Sequence, residues 1–337
     1  MKDILRQAKI LITGGAGSVG RALTGQMLKY SPEVIRIYDL SENEMFKMRS
    51  DFSGEERLRY LIGDIGDADR LKLAMEDIDI VVHLAAMKHV YACEYNPFEA
   101  VKINVDGLQN VINAARSEGV KKVIFSSTDK AARPLNVMGM TKLLGEKLVS
   151  LANNYSLGDN TGTIFASVRF GNVIGSNGSV IPLFKKQVLS GGPLTVTDEE
   201  MTRFVITMDE AVSLIYSAIK LAKGAEVFVW KMRTLKVTDI ARAMEERYAG
   251  DKNIKTVFKG KGEGEKIHEE IMSEDELVRA VELDNLYVIF PEIDYCHARS
   301  NYQHAAAIKN PVIASNMGRH MNLEEIRKLL KENWEGD

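Results

Sequence analysis

The 337-residue chain contains 45% hydrophobic and 27% charged residues, a balance typical of a folded globular protein. Its formal net charge is −3 and its basic residues are scattered, which argues against nucleic acid as the main partner. No apolar run reaches the roughly 18 residues that a membrane-spanning helix needs, and the N-terminus lacks a signal-peptide pattern, so we expect a cytoplasmic protein without a membrane span.

The first half of the chain alternates short apolar runs with helical patterns. This alternation predicts a parallel sheet covered by helices on both faces. Asn96 is the predicted N-cap of the last helix, with Pro97 at its first position. The predicted strands are 9–13, 34–39, 58–63, 78–86 and 121–127, and the predicted helices are 18–30, 42–51, 67–76 and 97–117.

The pattern loosens after about residue 172. We expect one domain over 1–172, with 205–230 interleaved into it, and a smaller α/β domain over most of 173–337. Asn322 is the predicted cap of an amphipathic terminal helix. Further helices are predicted at 178–191, 207–224, 236–250 and 322–333, and further strands at 193–198 and 225–232.

Cysteine and histidine spacing indicates neither a disulfide framework nor a metal site. Cys93 and Cys296 are far apart and belong to no CxxC pattern, so both are predicted to be reduced thiols, with an incidental reactive thiol as the alternative. No His, Cys and carboxylate set has the spacing of metal ligands, and we predict no metal. His89 and His268 are expected to be structural.

A glycine-rich turn, "ILITGGAGSVG", joins the first predicted strand to the first helix. Gly14, Gly17 and Gly20 permit a sharp turn and close approach to a pyrophosphate, and the helix N-terminus offers free N–H groups. Asp39 ends the second strand, where a carboxylate can accept ribose hydroxyls and repel a 2′-phosphate. This favours NAD over NADP, although a solvated strand-end aspartate is the structural alternative.

Two further segments are expected to complete the NAD site. Asp64 would bind the adenine amino group or, as the alternative, cap its own loop. The small residues after the fourth strand would lie beside the cofactor or simply pack strand against helix. The predicted NAD-binding residues are Gly14, Gly17, Ser18, Val19, Gly20, Asp39, Asp64, Ile65, Leu84, Ala85, Ala86 and Lys142.

Over roughly residues 8–280 the chain resembles the extended short-chain dehydrogenases/reductases, and among them the nucleotide-sugar 4,6-dehydratases that act on UDP-N-acetylglucosamine. The resemblance implies a Rossmann-type doubly wound parallel sheet with a smaller C-terminal α/β substrate domain, an NAD cofactor and a homo-oligomer. It implies that hydride leaves C4, water is lost across C5 and C6, and the hydride returns to C6. The motifs that carry it, besides the glycine turn and Asp39, are "LAAMKHV", "ACEYNPFEAVKINV", "STDKAARPLNVMGMTK", "RFGNVIGSNGSVIPLF", "MTRFVITMDEAV" and "KGEGEKIHEEIMSEDE".

The resemblance assigns the main catalytic roles to the turn after the fifth strand. Thr128 would hydrogen-bond the C4 oxygen. Asp129 would protonate the departing C6 hydroxyl if burial raises its pKa, and Lys130 would take the C5 proton if burial or a nearby cation lowers its pKa. A solvated Asp–Lys ion pair is the structural alternative.

Met138 stands four residues before Lys142, where many nicotinamide enzymes carry the tyrosine that takes the C4 proton. Lys142 is expected to hydrogen-bond the nicotinamide ribose. A thioether is a weak acceptor and carries no proton, so Met138 cannot replace a phenol and its alternative role is helix packing. We expect the C4 proton to leave through Asp129 or Lys130, directly or through a water.

Three residues are predicted to bind the substrate. Lys88 would reach the sugar, while by resemblance Asn172 would contact the diphosphate and Arg203 the phosphates. A surface lysine and a structural salt bridge are the alternatives for Lys88 and Arg203. In "KGEGEK" Gly262 replaces the arginine of the family's RPGEK, and Lys261 lacks the planar fork of a guanidinium.

Two other functions remain open. A nucleotide-sugar 4-epimerase has the same fold, but it normally uses the tyrosine that Met138 replaces and does not need Asp129 and Lys130. A catalytically silent NAD-binding regulator would explain the lost tyrosine but not the retained Lys142. The sequence leaves open the configuration at C5, the choice between UDP and GDP sugars, and the oligomeric state.

Overall fold

A computed structural model describes residues 2–154, 162–293 and 298–334 of the chain. The strands are β1 (Lys9–Thr13), β2 (Val34–Asp39), β3 (Leu58–Ile62), β4 (Ile80–His83), β5 (Lys122–Thr128), β6 (Ile164–Phe170), β7 (Asn172–Val173), β8 (Leu194–Val196), β9 (Thr202–Ile206), β10 (Val227–Trp230), β11 (Arg233–Lys236), β12 (Thr256–Phe258), β13 (Ala280–Leu283) and β14 (Leu286–Ile289). The helices are α1 (Lys2–Leu5), α2 (Ser18–Met27), α3 (Glu42–Asp51), α4 (Ala68–Met75), α5 (Val90–Tyr95), α6 (Pro97–Val101), α7 (Gly107–Ser117), α8 (Val137–Ala152), α9 (Val180–Leu189), α10 (Met208–Leu221), α11 (Val237–Tyr248), α12 (Glu274–Val278) and α13 (Leu323–Asn333).

The main sheet confirms the predicted doubly wound, Rossmann-type architecture. Its nine strands follow the order β13-β14-β10-β6-β5-β4-β1-β2-β3. From β10 to β3 all neighbours are parallel, whereas β14 runs antiparallel to β10 and β13 antiparallel to β14. The carboxyl ends of β1, β4, β5 and β6 therefore meet at one edge, where ligands of open α/β sheets bind.

Helices cover both faces of this sheet, and successive side chains of a strand point to opposite faces. Ile10 and Ile12 of β1 belong to a core that includes residues of α2 and α10. Leu11, between them, belongs to the core on the other face, with residues of α4, α7 and α8. The near-continuous apolar character of β1 thus follows from its position in the middle of the sheet.

A smaller lobe carries the remaining strands. It contains a three-stranded sheet, β11-β9-β7, and a parallel pair, β12-β8. Helices α9, α11 and α13 share one core with β8, β9 and β11. The predicted cap of α13 is confirmed, since the Asn322 side chain accepts from the Glu325 N–H and Glu325 accepts from the Asn322 N–H.

Helix α10 and strand β10 return to the main sheet. Helix α10 packs in the same core as α2, and β10 pairs with β6. Both elements therefore belong structurally to the main sheet and the helices that cover it. The position of the domain boundary near residue 172 stays a prediction.

Several elements were not predicted, among them β9, β11, β12 and the antiparallel edge strands β13 and β14, and three further features differ from the sequence-based prediction. Strand β6 was not predicted, because Arg169 interrupts its apolar run; that arginine is fully buried and pairs with Glu146 and Glu276. The predicted helix over 97–117 contains a π-helical turn at Lys102–Asp106. Asn96 precedes α6 but gives no side-chain cap, since its amide donates to the Ala92 carbonyl instead.

Candidate active site

A cavity of about 630 Å³ opens at the carboxyl edge of the main sheet. It lies between the strand ends and a loop of the smaller lobe, at 176–179, and its lining includes Ser126, Phe170 and Gly171. All of the predicted NAD-binding residues line it: Gly14, Gly17, Ser18, Val19, Gly20, Asp39, Asp64, Ile65, Leu84, Ala85, Ala86 and Lys142. The structure therefore gathers this set into one cleft, while their contacts with NAD remain a prediction.

The glycine turn leaves no room for a Cβ atom at two of its glycines. Gly14 has φ +65°, and a Cβ there would lie 2.6 Å from the Ala85 nitrogen. A Cβ on Gly20 would lie 2.4 Å from the Gly15 carbonyl oxygen. Helix α2 then begins after Gly17 with no side-chain cap, so its first N–H groups are available to a pyrophosphate, as a bound dinucleotide requires.

Asp39 is held in a fixed orientation at the end of β2. Its Oδ2 accepts from the Ala16 N–H at 3.1 Å and its Oδ1 from the Ser41 N–H at 3.0 Å. Arg21, which donates to the carbonyl of the same Ala16, is occupied: its guanidinium also pairs with Asp51 and donates to the Glu44 carbonyl. An ordered carboxylate with no available cation beside it fits the two ribose hydroxyls of NAD better than a 2′-phosphate.

Asp64 adopts the geometry of its structural alternative, since its Oδ1 accepts from the Gly66 N–H at 2.8 Å. The Tyr38 hydroxyl donates to the Asp64 carbonyl and fixes the same loop. Burial raises the pKa of Tyr38 to about 12, with Asp67 adding to that effect, so its hydroxyl stays a donor. Adenine recognition by Asp64 remains a prediction.

Met138 and Lys142 both line the cavity from α8. Met138 is buried in an apolar cluster with Cys93 and Ala100, the environment expected for helix packing. The Lys142 Nζ donates to the Ser126 carbonyl at 2.9 Å and lies 4.7 Å from the centre of the Phe125 ring. Burial lowers the pKa of Lys142 to about 8, with Glu146 opposing that shift, so this lysine is half charged near that pH and fully charged only well below it.

The turn after β5 forms a connected polar group. Thr128 lines the cavity, and its hydroxyl donates to Asp129 Oδ1 at 2.9 Å. Asp129 is fully buried, whereas Lys130 lines the cavity and its Nζ donates to the same Oδ1 at 3.0 Å. Asp129 Oδ2 has no hydrogen-bond partner among the residues described. The solvated ion pair considered from the sequence is therefore replaced by a buried one.

Glu269 is the group that sequence reasoning missed. Its side chain is 2% exposed, and its Oε1 lies 3.3 Å from the Lys130 Nζ. Burial would lower the pKa of Lys130, but Asp129 and Glu269 outweigh it and raise that pKa above its usual value. A lowered pKa, the condition set for Lys130 to act as a base, is therefore not met in this state, because two carboxylates face this lysine.

The three predicted substrate residues occupy different positions. Lys88 lines the cavity and its Nζ donates to the Asn177 carbonyl at 2.9 Å, while burial lowers its pKa. Asn172 also lines the cavity. Arg203 is not in the lining; its Nη1 donates to the Thr202 and Ile267 carbonyls and its Nε lies 3.9 Å from Glu269 Oε1. This is the structural role weighed for Arg203, and its phosphate contact remains a prediction.

Three buried polar atoms in the cavity wall have no partner among the described residues: Ser127 Oγ, Asn172 Oδ1 and Ser179 Oγ. Buried polar groups are nearly always hydrogen-bonded. These atoms therefore fit a site whose bound ligand supplies the missing hydrogen bonds, and Ser127 and Ser179 join Asn172 as candidate contacts. In sequence Ser127 differed little from an ordinary strand residue.

The remaining candidates lie at the margins of the site. His89 lines the cavity, and burial lowers its pKa, whereas the His268 ring bonds the Thr202 hydroxyl at 2.8 Å. Lys261 is exposed. Cys93 is buried as a free thiol, and Cys296 lies outside the described residues.

Neither a membrane-spanning helix nor a metal-binding cluster occurs among the described residues. No helix there combines the length and apolar character needed to cross a bilayer. Within the same ranges no cluster of His, Cys, Asp and Glu could hold a metal ion.

Comparison with known sequences points to one family. The profile described as polysaccharide biosynthesis protein matches residues 10–291. A UDP-N-acetylglucosamine 4,6-dehydratase (inverting) from Campylobacter jejuni is 43% identical over 295 residues, 87% of this chain and 86% of that protein. A UDP-glucose 4-epimerase from Rickettsia akari is 36% identical over 329 residues, 95% of this chain and 94% of that protein.

Solved structures give the same architecture. A protein named Pen from Bacillus thuringiensis is 41% identical and covers 98% of both chains with a TM-score of 0.91. The dTDP-glucose 4,6-dehydratase DesIV from Streptomyces venezuelae, solved with NAD bound, is 21% identical and covers 87% of this chain and 95% of its own, with a TM-score of 0.70. At that identity the second likeness shows the shared fold.

Proposed function

The chain belongs to the polysaccharide biosynthesis protein family of extended short-chain dehydrogenases/reductases, and from that premise we propose that it is a nucleotide-sugar 4,6-dehydratase acting on UDP-N-acetylglucosamine with bound NAD. The observation that carries the proposal is the Thr128–Asp129–Lys130 group, in which a hydroxyl and an ammonium that line the cavity share one buried carboxylate oxygen. Dehydration needs several proton carriers around one sugar ring.

Bound NAD would accept a hydride from C4 and later return it to C6. The chain must then take the C4 hydroxyl proton without a tyrosine. The Thr128 hydroxyl already donates to Asp129 Oδ1. A C4 hydroxyl that donates to Thr128 Oγ1 can therefore pass its proton along this bond, with the threonine proton moving to Asp129. This route replaces the phenol that Met138 cannot supply.

The elimination step then uses the proton that Asp129 has received. Lys130 as a free amine takes the C5 proton, the C5–H electrons form the C5–C6 double bond, and the C6–O bond breaks. The departing hydroxyl takes a proton from the Thr128 hydroxyl, which Asp129 reprotonates along their hydrogen bond, and leaves as water. Asp129 and Lys130 thus keep their predicted acid and base roles, provided that Lys130 first loses the proton that its two carboxylates hold on it.

The remaining residues are assigned to binding. Lys142 would orient the nicotinamide ribose and place positive charge near it while protonated. The unpartnered Asn172 Oδ1 and Ser127 Oγ would bond the ligand, and Lys88 would reach the sugar from the cavity wall. The 43% identity with a dehydratase named for UDP-N-acetylglucosamine supports that substrate.

The proposal is tested by proton NMR of UDP-N-acetylglucosamine mixed with the protein in deuterated water. We expect a new C6 methyl signal whose doublet collapses to a singlet as deuterium enters C5, with no net consumption of cofactor. The Asp129→Asn variant, which keeps an oxygen acceptor but cannot carry the proton, should produce no methyl signal. An unchanged sugar with the wild-type protein would reject this substrate assignment.

A nucleotide-sugar 4-epimerase is the second candidate, favoured by the 36% identity with a relative of that name. Epimerisation needs one proton carrier at C4, and it would leave Lys130 and the buried carboxylates without a task at C5. The same NMR experiment separates the two, because an epimerase would give a galacto-configured sugar without a methyl group.

A homo-oligomer remains part of the proposal. Several large apolar side chains of α5 and α6 are exposed, among them Tyr91, Tyr95 and Phe98, which is 87% exposed. Exposed apolar clusters of this kind often mark protein interfaces. Sedimentation of the wild type and of Phe98→Ser would test this, and a monomeric wild type would reject it.

A further inference from the structure

We propose that Glu269 is a positioning residue for Lys130 and acts as its temporary proton acceptor, so that the lysine becomes a free amine only after C4 has been oxidised. This inference rests on the dehydratase function proposed above. Glu269 does not line the cavity, so it would act through Lys130 and not on the sugar.

The geometry places one ammonium between two carboxylates. The Lys130 Nζ lies 3.0 Å from Asp129 Oδ1 and 3.3 Å from Glu269 Oε1. Glu269 is 2% exposed, and its Oε2 has no partner among the described residues. A structural salt bridge normally satisfies the remaining oxygen of a buried carboxylate, so this unpartnered oxygen is unusual for a group that only holds the fold together.

The local charges fit a carboxyl that can hold a proton. Burial raises the pKa of Glu269, and Asp129 adds to that effect, whereas Lys130, Arg203 and Lys266 oppose it. Around Lys130 the facing groups are Asp129, Glu269 and, as an opposing cation, Arg203. Lys130 therefore rests as an ammonium, which cannot take the C5 proton.

Oxidation at C4 changes this balance. When the C4 proton reaches Asp129 through Thr128, Asp129 becomes neutral and Lys130 loses one of its two anionic partners. The Lys130 N–H bond can then break, with its electron pair remaining on nitrogen, while an O–H bond forms at Glu269 Oε1. This transfer converts a buried ion pair into two neutral groups, which lowers the desolvation cost of a closed site.

The proton balance then closes without any added reactant. The neutral amine takes the C5 proton, and the Asp129 proton reaches the departing C6 hydroxyl through the Thr128 hydroxyl. After the hydride has returned to C6, Lys130 gives a proton back to C5, and Glu269 returns the held proton to Lys130. Asp129, Lys130 and Glu269 end in the protonation states in which they began.

The main test compares Glu269→Gln with Glu270→Gln. Glutamine keeps the size of Glu269 but cannot take a proton as a carboxylate does, and the backbone anchor from the Glu269 N–H to Ser315 Oγ is retained. Glu270 pairs with Arg133 and Lys266 instead of Lys130, so it is a matched control. Melting temperatures of both variants establish that they fold.

Two stages of the reaction are followed with UDP-N-acetylglucosamine. In Glu269→Gln we expect the absorbance of the reduced cofactor to appear at the wild-type rate, while deuterium entry at C5 falls about tenfold or more. Glu270→Gln should change neither stage. If Glu269→Gln slows both stages equally, Glu269 is only structural; if it leaves C5 exchange unchanged or speeds it, the proton-acceptor role is wrong.

A second measurement needs no turnover. In protein with carbon-13-labelled lysine, the NMR signal of Lys130 is the one missing from the spectrum of Lys130→Arg. That signal is titrated with pH in the wild type and in Glu269→Gln. We expect the Lys130 midpoint to fall by about one pH unit or more, because a carboxylate this close is lost. An unchanged Lys130 midpoint would overturn the proposal. If the wild-type protein converts no UDP-N-acetylglucosamine but the Lys130 midpoint still shifts in Glu269→Gln, only the proposed function is rejected.

Discussion

Met138 should tolerate replacement if the missing tyrosine has been bypassed. In Met138→Leu the side-chain volume is nearly kept, and the site is a small apolar cluster with Cys93 and Ala100. Volume-conserving swaps in such positions usually cost less than about 1.5 kcal/mol of the free energy of unfolding. The thioether is at most a weak hydrogen-bond acceptor, so its loss should slow turnover less than about tenfold, or about 1.4 kcal/mol of the activation barrier.

A proton carrier at position 138 would behave very differently. Loss of a general acid or base typically slows a reaction about 10²- to 10⁴-fold. Methyl formation from UDP-N-acetylglucosamine, followed by NMR under initial-rate conditions, separates these ranges. Met140→Leu is the matched control, since Met140 is on the same helix but is 52% exposed. A loss of about 100-fold in Met138→Leu alone, with NAD binding intact, would refute the bypass.

Three further changes test the rest of the site. Thr128→Val should slow appearance of the reduced cofactor in a single turnover by about 10²-fold or more, because it removes the hydroxyl that connects the C4 oxygen to the buried carboxylate. Arg169→Met should lower the free energy of unfolding in urea by about 3–5 kcal/mol, because it leaves Glu146 and Glu276 as buried carboxylates without their cation. Lys142→Met should be more stable than the wild type below pH 8, with the difference shrinking as pH rises from 8 towards 10.5. The unfolded chain binds more protons than the folded one in that window, since the pKa of Lys142 is lowered to about 8, so wild-type stability should increase there; a pH-independent difference in urea midpoints would contradict this.

The sequence predicts what short-range patterns encode. The glycine turn, Asp39 and the residues after β4 lie at successive strand ends, and parallel strands bring such ends to one edge. That is why all twelve predicted NAD-binding residues line one cavity. The resemblance to dehydratases supplied the roles of Thr128 and Asp129, which strand periodicity alone could not give.

Features that depend on distant partners were not predictable in the same way. Strand β6 was missed because its arginine is unusual in an apolar run, and its burial is made tolerable by distant partners: Glu146, Glu276 and the Ile271 carbonyl. Arg203 was expected at the phosphates from its neighbours in sequence. That contact remains a prediction, and the structure shows the Arg203 guanidinium bonding two backbone carbonyls, which depends on how residue 267 is placed beside β9.

The charge state of Lys130 shows why chemistry is harder to predict than position. From the sequence, the adjacent carboxylate of Asp129 would raise the pKa of Lys130 whereas burial would lower it, so the sign of the shift is undecided. Glu269, contributed by a segment far along the chain, decides it by facing the same ammonium. A lysine held protonated by two carboxylates cannot be a base until one of them is neutralised. Oxidation at C4 delivers a proton to Asp129 by way of Thr128, so in the proposed mechanism the first step creates the base that the second step needs, and C5 deprotonation cannot precede C4 oxidation.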